Sequence, residues 1–146
     1  AGEGAAEDTG TGLLGLTNAG GKLGVAAFSS AHGGQIQAFN AETKKVAFLG
    51  VSANPAGNGL LYVARDDGSR LIEAGRNSGR GGYMSVRNGE GKRVLFLGAS
   101  TGDAPDDGVL EVSRSSGGLG VVLRGHAGGS FVQVYDLQGK AKTRIK

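Results

Sequence analysis

Apolar and polar positions follow one pattern along this chain, and the pattern returns six times. It is clearest in YMSVRNGEGKRVLFLG, residues 83–98, where two short apolar runs flank the polar knot Asn88-Gly89-Glu90-Gly91-Lys92. With Met84 as position zero, apolar residues stand at 0 and +2, a polar residue at +4, Gly at +7, and apolar residues from +10 to +13. The same frame fits from Leu14, Ile36, Leu61, Leu110 and Val132, with start-to-start spacings of 22, 25, 23, 26 and 22 residues. Gly fills +7 in five copies, as Gly21, Gly68, Gly91, Gly117 and Gly139, and Thr43 takes that place in the second copy. Short apolar runs around a Gly turn read as hairpins. Recurrence at a short interval reads as one supersecondary unit stacked on itself.

The Asn/Asp/Arg-x-x-Gly core fits a type I turn whose fourth residue is left-handed, closing a three-residue loop with a glycine bulge. Gly enters positive φ without a Cβ clash, and Asn40 and Asn88 can bond back to turn amides. Counting from that loop alone sets +2 opposite +10 and 0 opposite +12. Met84, Val86, Val94 and Phe96 then share one face, while Tyr83, Ser85 and Arg87 oppose Arg93, Leu95 and Leu97 on the other. On this count runs such as VLFL and VAFL are apolar on both faces, unlike strands of a half-solvated sheet. They need cover from a second layer or a neighbouring subunit. One stretch competes: in IQAFNAETKKVAFL, Ile36, Phe39, Thr43 and Val46 fall at helical spacing. Alignment with the five Gly-turn copies favours a hairpin there too, since repeated units share one conformation.

The expected fold is therefore all-β, with six hairpins of about 22–26 residues in an open β-prism or solenoid-like array. A closed β-trefoil, which three pairs of hairpins would also produce, is the alternative. Residues 1–12 lie outside the repeat and read as an N-terminal tail that can serve as an assembly arm; residues 13–146 read as one repeat domain.

Composition adds limits to this picture. Thirty of 146 residues are Gly and two are Pro, which suits many tight turns and lacks the triplet period of collagen. The net charge of +3 is spread in alternating sign rather than gathered in the basic stripe of a nucleic-acid binder. No Cys is present, which excludes disulfides, thiolate chemistry and cysteine-ligated zinc. No 18-residue apolar run exists, so no membrane-spanning helix is expected. The start AGEGAAEDTG, without Met, reads as a mature form after signal-peptide removal or as a fragment, and the expected location is extracellular, at the cell surface.

The motif Gly-x-Leu-x-Val-x-Asn-x-x-Gly-Lys-x-Val-x-x-Leu-Gly resembles hairpin repeats of large secreted and cell-surface bacterial proteins. VYDLQGK, residues 134–140, is similar to the Tyr-Asp repeats of Rhs-type wall proteins. The resemblance implies a structural or adhesive role, often in fibres or sheaths, and carries no catalytic residues over.

Candidate chemistry is sparse. Gly10-x-Gly12-x-x-Gly15 matches a dinucleotide fingerprint in letters, but that motif needs a helix after it. Asp103, Asp106 and Asp107 share one loop and are weak candidates for a calcium site, although their spacing matches no 12-residue calcium loop. His32 and His126 have no local carboxylate or third ligand. Arg76, Arg80, Arg87, Lys92 and Arg93 surround one hairpin and could meet a polyanion, but few aromatics interleave them.

The last repeat differs most. Lys140, Lys142, Arg144 and Lys146 put cations across the +10 and +12 positions that are mostly apolar in other copies, as a capping repeat or blunted edge would. Glu3, Glu7 and Asp8 of the tail are complementary to them, so these seven residues form a candidate assembly contact between successive subunits.

The sequence thus points to a non-enzymatic subunit of an extracellular fibre, sheath or surface assembly. It would polymerise with copies of itself by burying apolar strand faces and pairing edges, with no catalytic residues and no cofactor. The alternatives are a carbohydrate-binding module, with loops around Tyr62, Tyr83 and Tyr135 holding surface glycans, and a segment of a phage tail or spike.

Overall fold

The computed structural model describes residues 12–30, 33–53, 56–76, 81–99, 107–126 and 128–146. Among them are twelve strands: β1 (Leu13–Thr17), β2 (Leu23–Ser30), β3 (Gly33–Phe39), β4 (Lys45–Ala53), β5 (Ala56–Ala64), β6 (Arg70–Arg76), β7 (Gly82–Arg87), β8 (Arg93–Ala99), β9 (Gly108–Ser113), β10 (Leu119–His126), β11 (Gly129–Tyr135) and β12 (Ala141–Ile145). They form one antiparallel sheet in chain order, β1 to β12. The sheet is open, so the trefoil alternative falls and the array of six hairpins stands. Residues 36–49, which compete for a helix by spacing, form the hairpin β3–β4, with Ile36 opposite Leu49.

The six hairpins share one turn. In the fourth, the Asn88 N–H donates to the Lys92 carbonyl at 2.9 Å and the Gly91 N–H to the Asn88 carbonyl at 3.0 Å. The Asn88 Oδ1 accepts from the amides of Glu90 and Lys92, each at 3.0 Å. Asn18, Asn40 and Asp136 make the same pair of side-chain bonds in their own turns. At +7 the chain must turn left-handed: Gly21, Gly68, Gly91, Gly117 and Gly139 have φ between 73° and 89°, and Thr43 has φ 64°.

The register within each hairpin departs from the count made from the loop alone. Val86 lies opposite Leu95 while Arg87 lies opposite Arg93, so Val94 is an extra residue without a cross-strand mate. Gly24, Val46, Leu71, Gly120 and Lys142 hold the same position in the other hairpins. A bulge of this kind slips the register by one, and a slip of one reverses the faces of the whole strand. Position 0 therefore faces +13 and +2 faces +11. Met84, Val86, Leu95 and Leu97 share a face, and Phe96 joins Tyr83 and Ser85 on the other. The expected grouping of Met84 and Val86 with Val94 and Phe96 is corrected by that one residue.

The turns are also tied to one another at one end of the sheet. Lys22 Nζ donates to the Ala41 carbonyl at 2.9 Å, and the Asn88 side-chain amide donates to the Ser115 carbonyl at 2.7 Å. The Arg65 guanidinium donates to the Asn88 carbonyl, and that of Arg114 to the carbonyls of Tyr135 and Asp136. These bonds cross from one hairpin to the next and add a second link besides the strand ladder.

Thr43 and Gly91 make this turn testable. A non-Gly residue in the left-handed region costs about 1–2 kcal/mol, and a Cβ at Gly91 would meet no atom within 4 Å. Thr43→Gly should raise stability by about 0.5–1 kcal/mol and Gly91→Ala should lower it by about 1 kcal/mol. The midpoints of urea unfolding followed by circular dichroism read both signs.

Candidate assembly face

The bulge sorts side chains onto two unlike faces. On one, position 0 of each odd strand and +13 of each even strand line up across the sheet. From β1 to β12 that row reads Leu14, Ala27, Ile36, Leu49, Leu61, Ala74, Met84, Leu97, Leu110, Leu123, Val132 and Ile145. Two residues along each strand runs a second row: Leu16, Val25, Ala38, Ala47, Val63, Ile72, Val86, Leu95, Val112, Val121, Val134 and Thr143. Only Thr143, at the sheet edge, interrupts this apolar stripe.

Nothing in the described chain covers it. Sixteen large apolar side chains remain exposed among the described residues, and fourteen lie in these two rows; Leu13 and Leu137 are the exceptions. Leu49 and Leu97 keep 54% and 50% of their surface although they sit well inside the sheet. Monomeric soluble proteins rarely expose a contiguous apolar patch of this extent.

The opposite face covers itself. The buried residues Ala26, Phe48, Ala64, Val109, Val122, Gln37 and Ser85 all belong to it. Long side chains lie flat across the strands: Phe48 stacks on Tyr62 with centroids 5.3 Å apart, and Tyr83 on Phe96 at 6.2 Å. The Arg70 guanidinium sits 4.7 Å over the Tyr62 ring, Arg93 4.7 Å over Phe96 and Arg144 4.0 Å over Phe131. Such cation–π contacts hide ring faces while the charge stays wet. Glycines make room for this tiling. A Cβ on Gly98 would stand 2.6 Å from the Gly82 carbonyl oxygen and 2.8 Å from the Cα of Tyr83.

Glu73 is the polar hub of this face. It accepts hydrogen bonds from the Tyr83 hydroxyl and, at 2.5 Å, from Arg70. Burial works to raise the Glu73 carboxyl, but the bonds from Tyr83 and Arg70 outweigh it and hold it below the ordinary value. Burial, and then the Glu73 carboxylate, push the Tyr83 hydroxyl up to about 12.

The structure places the other sequence candidates as follows. Glu3, Glu7 and Asp8 lie outside the described residues, as do Asp103, Asp106, His32 and Arg80. Asp107 is described and stands just before β9, and no group of three His, Asp or Glu able to hold a metal occurs among the described residues. Lys140, Lys142, Arg144 and Lys146 are exposed at β12. Lys142 pairs with Asp136 at 3.2 Å, and Arg144 lies over Phe131 on the self-covered face. Around the fourth hairpin the cations are engaged locally: Arg93 with Glu111 at 2.9 Å, Lys92 with Glu90 at 3.0 Å, Arg76 with Asn58 at 2.9 Å and Arg87 with the Gly91 carbonyl at 3.1 Å. Tyr62 and Tyr83 stand within β5 and β7, stacked and half-buried, rather than in loops. Gly15 of the dinucleotide-like motif lies in β1, followed by a strand and not a helix. No helix among the described residues is long and apolar enough to cross a membrane.

No protein-family model and no curated protein matches the chain.

The Tyr83–Glu73 contact has a sign that titration can read. A phenol whose value rises on folding supports the folded state fully below about pH 10, its unfolded value, and loses that support as pH climbs towards 12. Ultraviolet titration should find one of the three tyrosines ionising near 12. In Glu73→Gln that step should move down, because the carboxylate no longer opposes phenolate formation.

Proposed function

We propose that this chain is a non-enzymatic structural subunit of an extracellular fibre, sheath or surface assembly that polymerises with copies of itself. The observation that carries the reading is the apolar stripe, uncovered on twelve consecutive strands. A chain that spends two apolar rows of every strand on one open face, and tiles the other with its own side chains, has the layout of a building block. The strand edges supply a second contact. Among the described residues β1 and β12 each pair on one side only, and an unpaired edge offers a row of N–H and C=O groups to another strand. Face burial and edge pairing act in different directions, so together they allow growth beyond a closed pair.

Electron microscopy and light scattering of the purified chain test this. Regular extended particles, or oligomers well beyond a dimer of the 14.6 kDa chain, are expected. Monodisperse monomers at that mass, across concentrations, would overturn the reading.

A further inference from the structure

We propose that the occupant of the apolar stripe is a second copy of this chain, docked stripe against stripe with both strand stacks running in the same direction. This rests on the assembly reading above and specifies its partner and geometry.

Size comes first. Twelve strands about 4.8 Å apart make a stripe about 55 Å long, and two rows about 7 Å apart with their side chains make it about 14 Å wide. The footprint is then roughly 800 Å², which is what each partner of a stable, specific interface contributes. The segments outside the described residues contain no Leu, Ile, Val, Met, Phe or Tyr with which to cover the stripe. A partner of ordinary surface would match such a long, narrow strip at a few strands. A second copy repeats the side-chain spacing strand for strand and carries the same twist. Open sheets beyond about ten strands also tend to curl or pack against a second sheet.

The two rows decide the orientation. The row through Leu49, Leu61 and Leu97 is bulky, and the row through Ala47, Val63 and Val86 is slighter. A two-fold axis along the strand stack sets the bulky row of one copy over the slight row of the other and keeps β1 beside β1. An axis along the strands would set bulky on bulky and reverse the order. Interiors fill to crystal-like density, which favours large against small. The contact is isologous, with the same patch used by both copies.

Two experiments read this. Leu61→Lys combined with Leu97→Lys charges the middle of the stripe at positions 43% and 50% exposed in the single sheet. The variant should keep the β-sheet circular dichroism of the parent and fall from twice the chain mass, or a multiple of it, to 14.6 kDa. The chain has no Cys, so Leu14→Cys gives a single nitroxide site on β1. In the parallel pair the two labels should lie within about 20 Å, whereas reversed order would put them about 50 Å apart. Dimers that persist in the lysine variant, or labels about 50 Å apart, would overturn the proposal. A stripe-paired dimer that never grows further would leave this pairing intact and sink the fibre reading. Long polymers that survive the two lysines would do the reverse.

Discussion

One extra residue in each hairpin governs everything else in this molecule. Side chains alternate along a strand with a period of two, so a slip of one exchanges the faces of a whole strand. With Val94 bulged out, Leu95 and Leu97 join Met84 and Val86; without it, Phe96 would. The same slip at the same place in all six hairpins aligns position 0 with +13 and +2 with +11. From that alignment come the two apolar rows, broken only at Thr143, and from their removal to one side comes the aromatic and charged character of the other.

The two faces solve opposite problems. A single-layer sheet has no second layer to bury its side chains, and among the described residues no large side chain is wholly enclosed. The self-covered face replaces a conventional core with side chains laid flat. Rings stack across strands, guanidinium groups cap the rings, and Glu73 gathers Tyr83 and Arg70. The bonds from hairpin to hairpin at the turn end add stiffness that strand pairing alone would not give. The apolar face has no comparable device among the described residues. Apart from Thr143 its side chains are apolar and non-aromatic, unable to hydrogen-bond or to stack under a neighbour, and the large ones stay exposed.

The repeat, the six hairpins and the left-handed turn position could all be read from the sequence, because Gly at +7 and the flanking apolar runs are local signals. The face assignment could not be read from the loop alone, because a bulge leaves no glycine or proline mark where Val46, Leu71 and Val94 provide the extra residue. A subtler signal was present in the column comparison. Positions +11 and +13 are apolar in every copy except at Thr143, whereas +10 and +12 admit Gly24, Gly120, Lys142, Glu73 and Arg144. The variable pair marks the bulge and the polar face. The candidate contact between the acidic tail and β12 lies partly outside the described residues. Among the described residues Lys142 lies beside Asp136 and Arg144 over Phe131.

The central claim is that the stripe, open in one chain, is covered in the native particle, and thiol reactivity tests it directly. Since the chain contains no Cys, Leu97→Cys on the stripe can be compared with Leu137→Cys in the last turn, where the leucine is 82% exposed. A water-soluble maleimide should modify the turn thiol at the rate of a free cysteine and the stripe thiol at least about tenfold more slowly, until denaturant levels the two. Equal rates in the native state would contradict the account, because the stripe would then face water.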